Sequence, residues 1–222
     1  MRREERFFDG LRRQKRCFIV ISPHQDDEWL GCYQMLLSRS QRLWKKAVIY
    51  ITESLYPDLR EYTTRRTESQ KACNYFGATY HALGLKEEQL FKKPYNQQTY
   101  IPNLGNSFQG KLLKQIKKIQ GTKDLYLAFP SSTDAEGHVV HKFARDLTLN
   151  IISSLNPRKL IQYTIYSTEH PSNSRIIRVK NTLKYYNFKR FYPTQWSVIE
   201  KDPWALQVVQ WHCNFEYMEA TT

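Results

Sequence analysis

Residues Ser22–Cys32 read SPHQDDEWLGC, and this stretch decides how the chain is understood. One imidazole and three carboxylates, His24, Asp26, Asp27 and Glu28, directly follow Cys17–Ile21, an apolar β-branched run that reads as a buried strand. Acidic groups crowded at the end of a core strand repel one another unless a cation or hydrogen-bond donors hold them. A second cluster, His138-Val-Val-His141, lies beyond another strand-like run, Asp124–Phe129. Hard and borderline ligands just past two strands are what a divalent metal site requires.

Working outward, strands and helices alternate. Asp27–Arg42 reads as a helix, Ala47–Thr52 as a strand, and Asp58–Phe76 as a helix ended by Gly77. Tyr80–Leu85 reads as a short strand, Phe108–Ile119 as a helix, Gly137–Leu155 as a helix and Lys159–Tyr166 as a strand. Lys92–Gly110 is rich in Pro, Asn, Gln and Gly and reads as a long loop over one face. Past His170 helix and loop mix without a clear period. This alternation predicts an α/β fold, a three-layer sandwich around a mostly parallel sheet. Sites in such sheets form at the carboxyl ends of strands near a topological switch point, and both clusters fall at those ends. With no repeat, low-complexity segment or linker, residues 1–222 are expected to form one domain, with residues 1–16 a basic extension.

Composition narrows the function classes. Of 222 residues, 41% are hydrophobic and 14% aromatic, which suits a globular chain with a sizeable core. No apolar run approaches the roughly 20 residues of a membrane span, and MRREERFFDGLRRQKR has no apolar signal-peptide core. Cys17, Cys32, Cys73 and Cys213 are scattered without ligand spacing, and read as reduced core residues of an intracellular, cytoplasmic protein. The net charge of +13 raises nucleic acid, anionic lipid or acidic small molecules as partners. Yet the basic residues are dispersed, Lys111, Lys114, Lys117 and Lys118 recur as one solvated helix face, and no nucleic-acid motif occurs. Nucleic acid is therefore not the expected partner. The lack of G-x-S-x-G, Walker and G-x-G-x-x-G elements leaves serine hydrolysis and nucleotide binding without support.

A catalytic zinc site combines three protein ligands with an open position. His24 and Asp27 come from one loop, and His141 from the start of a helix. His138, three residues earlier, shares a helix face with His141 and can look into the same pocket without binding metal. Asp26 is left as base for a water whose pKa a bound Zn²⁺ lowers to about 7. Metal, carboxylate and imidazole together suit hydrolysis of an unactivated carbonyl such as an amide.

SPHQDDEWLGC resembles the PHPDDE-type signature of the zinc-dependent de-N-acetylases of the PIG-L/LmbE family, and GHVVH at 137–141 resembles that family's His-x-x-His motif. TTRRTESQKACNYFGA (63–78) resembles its Arg-x-x-Glu helix, and FYPTQ (191–195) its C-terminal Thr/Ser-Gln segment. The resemblance implies a Rossmann-like fold, with zinc ligands His24, Asp27 and His141, Asp26 as general base and His138 as electrophilic or acid imidazole. It implies Arg65 as a sugar contact, where a helix salt bridge to Glu68 or Glu61 is the plain alternative. It implies removal of an N-acetyl group from an N-acetylglucosamine-type sugar or glycoconjugate, which the basic surface allows to be anionic. Fe²⁺, Co²⁺ and Mn²⁺ also accept a His₂Asp set. Two other readings stand beside it: an amidase for a different amide-linked conjugate, and a basic nucleic-acid-binding module without enzymatic activity. Oligomers are compatible with all three. The sequence departs from the family pattern at Gln25, where proline is usual, at Val140, where Asp or Asn often stands, and at Tyr192, where histidine is often found. His81, His170 and His212 are expected to be structural, and Trp196, Trp204 and Trp211 to be core or subunit contacts.

Overall fold

A computed structural model describes residues 16–38, 44–53, 59–90, 104–133, 138–165, 175–178 and 182–221. Strand β1 (Arg16–Ser22) is buried along its whole length, as expected of an apolar run with polar residues only at its ends. Its side chains alternate between two cores: Phe18 and Val20 face one, and Cys17, Ile19 and Ile21 the other. Parallel to it run β2 (Lys45–Glu53), β3 (Thr79–Lys86), β4 (Asp124–Pro130) and β5 (Lys159–Thr164). Strand β7 (Phe215–Thr221) lies antiparallel to β5 and to β6 (Arg175–Arg178). The seven-stranded order is β3-β2-β1-β4-β5-β7-β6.

Helices cover both faces. The Phe18/Val20 core receives Trp29 and Leu30 of α1 (Asp27–Leu37), Cys73 and Phe76 of α2 (Leu59–Phe76) and Phe188 of α5 (Thr182–Phe191). Trp196 of α6 (Pro193–Ile199) and Val209 of α7 (Pro203–Asn214) complete that layer. The opposite core receives Leu112 and Ile116 of α3 (Leu104–Gln120), and Val140 and Phe143 of α4 (Val139–Leu149). The fold is thus a Rossmann-like, three-layer α/β sandwich around a mostly parallel sheet. Chain order reverses between β1 and β4, so the crevice at their carboxyl ends is the switch point.

Several boundaries differ from the sequence reading, each for a physical reason. The first helix stops at Leu37 rather than Arg42, with Ser38 extended at its C-cap. Lys46 of β2 donates its Nζ to the Leu36 and Phe76 carbonyls, closing the C-terminal ends of α1 and α2 with one cation. The helix expected over Gly137–Leu155 is capped by His138, ends at Leu149 and gives way to a 3₁₀ turn at Ile152–Ser154. The helix expected over Phe108–Ile119 begins earlier, at Leu104, so residues 104–110 of the expected loop lie within α3, where Phe108, Leu112, Ile116 and Ile119 bury one continuous face. Residues 92–103 of that loop lie outside the described residues. So do residues 1–15 of the basic extension, while Arg16 opens β1 with its guanidinium over the Trp44 and Tyr126 rings. Among its described residues, the indistinct region past His170 holds three helices and the two antiparallel strands.

Helix α1 packs closely on the sheet at Gly31. A Cβ there would stand 2.6 Å from the Tyr163 ring, and that ring is fixed because its hydroxyl donates to the Ile21 carbonyl at 2.6 Å. Gly31→Ala is therefore expected to lower stability by about 1–3 kcal/mol through overpacking, against a gain of up to about 1 kcal/mol in helix propensity. Urea unfolding measures it, and unchanged or higher stability would show that Tyr163 gives way.

Candidate metal centre and active site

The loop after β1 is pinned from three sides. Ser22 Oγ donates to the His24 carbonyl at 2.8 Å. The Pro23 carbonyl accepts from both the amide (3.0 Å) and hydroxyl (2.7 Å) of Thr52 at the end of β2. Asp27 turns back, its Oδ2 accepting from the His24 amide at 2.7 Å. The same oxygen lies 3.2 Å from His24 Nδ1 and 3.3 Å from His141 Nε2. Two residues from the first loop and one from α4 are thus brought to one point across the β1–β4 crevice.

His138 and His141 divide their duties by position. His138 is the N-cap of α4: its Nδ1 accepts from the Val140 amide at 3.3 Å, and its backbone carbonyl accepts from Lys142. His141, one turn on, is fully buried. The rings of His24, His138 and His141 converge, with centroids 4.9–5.3 Å apart. Each of the three offers a ligand atom, all within 4.8 Å of one another.

The adjacent carboxyls experience different environments. Burial pushes Asp27 up, but the charges and hydrogen bonds of His141 and His24 outweigh it and hold this carboxyl well below the usual range. Asp26 is raised to about 6, first by burial and then by repulsion from Asp27, with Arg65, His24 and His141 pulling the other way. Although Asp26 is the N-cap of α1, its carboxylate makes no capping bond, and only its carbonyl accepts, from Trp29 and Leu30. Glu28 is raised to about 8, chiefly by burial. It accepts a short hydrogen bond from the Tyr192 hydroxyl and a longer one from Ser22 Oγ. His138 is lowered to about 3 by burial and by its two neighbouring histidines, so it is a neutral imidazole.

Arg65 is buried on α2, its charge acting on Asp26, and its Nε has no hydrogen-bond partner among the described residues. Among those residues it forms no ion pair with Glu68. Glu68 instead accepts from the amide (3.0 Å) and hydroxyl (2.6 Å) of Thr194 at the start of α6. Sequence reasoning singled out FYPTQ but not its partners: Tyr192 reaches Glu28, and Thr194 reaches Glu68. Tyr192 is completely buried behind the acidic loop. Gln25 is buried too, its side-chain amide without a partner among the described residues. His81 bonds Thr79 and Gln115, and His212 is buried in α7; His170 lies outside the described residues. All four cysteines are buried and free. Trp196 and Trp211 are partly buried, whereas Trp204 is 55% exposed.

The donor set suits a divalent ion. Ligand atoms about 2.0–2.2 Å from a tetrahedral centre stand roughly 3.3–3.6 Å apart. The two separations from Asp27 Oδ2, 3.2 and 3.3 Å, approach that spacing. Two imidazoles and a carboxylate are borderline ligands that zinc accepts.

A family model described as GlcNAc-PI de-N-acetylase matches residues 19–152. The chain belongs to the PIG-L family. The match begins in β1 and ends beyond α4, so it encloses both the segment with His24 and Asp27 and the segment with His138 and His141. Solved structures share the fold. N,N'-diacetylchitobiose deacetylase from Pyrococcus horikoshii is 16% identical, with a TM-score of 0.67 over 100% of this chain and 93% of that one. A deacetylase of the A40926 pseudoaglycone, Dbv21, is 18% identical, with a TM-score of 0.63 over 94% and 96%. The zinc-inhibited form of teicoplanin deacetylase Orf2 is 15% identical, with a TM-score of 0.61 over 92% and 96%. No curated protein sequence matches the chain.

Metal binding is expected to stabilise this protein. Zn²⁺ at a hundredfold excess over its Kd should add about 2.7 kcal/mol to unfolding, a gain that His141→Ala abolishes. Thermal melts with and without chelator measure it, and an unshifted wild-type melt would count against a metal centre.

Proposed function

We propose that the chain is a metal-dependent de-N-acetylase that removes the acetyl group from an N-acetylated amino sugar or its glycoconjugate. One observation carries this reading: His24 Nδ1 and His141 Nε2 stand 3.2 and 3.3 Å from Asp27 Oδ2, beside an Asp26 carboxylate that α1 leaves uncommitted. Family membership supports the reaction class, and the three structural neighbours described above, each named a deacetylase, agree with it. We assign His24, Asp27 and His141 as the residues that would hold the metal, with zinc the first candidate. His138 is left out because its Nδ1 accepts the Val140 amide. A neutral ring bonded in that way carries its proton on Nε2 and offers no second lone pair.

When bound, the metal supplies Lewis-acid polarisation and lowers the pKa of a water ligand. The chain's residues supply the proton movements and the positioning. Asp26 accepts the proton of the attacking water as oxygen adds to the acetamide carbonyl carbon. The His138 Nε2–H donates to the oxygen on which negative charge develops. Asp26 then returns its proton to the nitrogen as the C–N bond breaks, releasing acetate and the free amine. His138, neutral across the working range, serves as the electrophile of the two roles open to it. Arg65, buried beside Asp26, is suited to orient the substrate's hydroxyls.

Asp26→Asn is expected to lower turnover about 10²–10⁴-fold, the usual share of a general base, with zinc binding kept. A base must be unprotonated. Because the Asp26 pKa is raised to about 6, activity should fall as the pH drops through about 6, or lower once a cation sits beside it. Amine release from a panel of N-acetylglucosamine derivatives, followed against pH, tests both expectations. Full activity in the variant would overturn the base assignment, and no release from any derivative by the zinc-loaded enzyme would overturn the substrate class.

A further inference from the structure

Lys184 and Glu216 form an ion pair of 2.8 Å with both side chains completely buried. Neither lies within the segment matched by the family. Both grip helix α1, and they grip it by its backbone. Lys184 Nζ donates to the Leu30 carbonyl at 2.8 Å and to the His212 carbonyl at 2.7 Å. Glu216 accepts from the Gln34 amide through both carboxylate oxygens, at 3.1 and 3.2 Å. Leu30 C=O and Gln34 N–H are the two halves of one i→i+4 helical hydrogen bond. The pair thus holds each end of a single rung of α1. The Lys184 backbone adds a third hold, accepting from Trp29 Nε1 at 3.2 Å.

A buried ion pair is poor evidence of stabilisation, because desolvation offsets its attraction; its best-attested use is to specify register. Here register matters. Apolar packing alone tolerates small slips of a helix, and each residue of slip moves it about 1.5 Å along its axis. The rung held by the pair starts three residues after Asp27 and four after Asp26. We infer that Lys184 and Glu216 are positioning residues that set the axial register of α1, and through it the placement of Asp26 and Asp27 in the active site. Their role in turnover rests on the de-N-acetylase reading; their hold on α1 does not.

The test is a Lys184→Met/Glu216→Met double variant. It removes both charges together and leaves Leu30 C=O and Gln34 N–H free to pair with each other. Hydrogen exchange of the α1 amides reports the hold itself. It is expected to quicken at least about tenfold in α1, with β1 and β4 unchanged. Turnover of the zinc-loaded enzyme is expected to drop about 10- to 100-fold with KM within about threefold, as a displacement near 1 Å does at a reacting centre. Glu216→Gln keeps one acceptor oxygen, replaces the other with an amide nitrogen and removes the charge that strengthens these bonds. It should show smaller changes of the same sign in both measurements, and it carries the test if the double variant does not fold. Wild-type exchange in α1 would overturn the hold, and quickened exchange with wild-type kcat would overturn the positioning role. A wild-type enzyme that releases no amine counts against the de-N-acetylase reading alone, and the exchange comparison then decides whether the pair holds α1.

Discussion

Three consecutive carboxyl groups, Asp26, Asp27 and Glu28, must coexist at the enclosed end of a core strand, and the architecture around them answers that constraint. Like charges so close in a medium of low polarity cannot all persist unaided. The protein gives each a different solution. Asp27 is kept ionised by two imidazoles and a backbone amide. Glu28 is desolvated into its neutral form against Tyr192 and Ser22. Asp26 lies between these extremes, with Arg65 near enough to temper it. Environments that separate the pKa values of neighbouring acids are how one site assigns them different tasks.

The pieces of this arrangement differ in how readable they are from residue order. The central strand, the switch-point crevice and the groups gathered there follow from local pattern: an apolar run, then an acidic-imidazole motif, then the same logic again at β4. What local pattern does not carry is which partner a residue meets across the fold. His138 and His141 look alike in spacing, told apart in the sequence only through the family resemblance, and the cap geometry of α4 adds that the His138 ring holds a backbone amide. Arg65 and Glu68 have ideal spacing for a helix ion pair, yet Glu68 turns to Thr194, 126 residues away. The end of α1 at Leu37 depends on Lys46 of the next strand, and the requirement for glycine at 31 depends on a ring in β5.

The region past His170 was the least legible for the same reason. Its helices are short, its strands antiparallel, and its decisive contacts are made with residues of α1 and α2. Tyr192 reaches Glu28, Thr194 reaches Glu68, and Lys184 and Glu216 reach the backbone of α1. The segment matched by the family provides the groups that face the crevice, and this later segment forms the wall behind them. Tyr192 illustrates the division. It stands where a histidine is often found, yet it is buried behind the acidic loop rather than directed at the crevice.

The Glu216–Gln34 contact spans 182 residues, and that separation has a kinetic meaning. Closing a loop of that length costs chain entropy before the contact rewards it, so a contact of this kind is expected late in folding. The N-terminal half, which leaves the ribosome first, can pair β1 with β2 while α1 still lacks its final anchor. The hold on α1 is therefore expected to be completed only once β7 has reached its place in the sheet, after the acidic loop has met its nearer partners on β2.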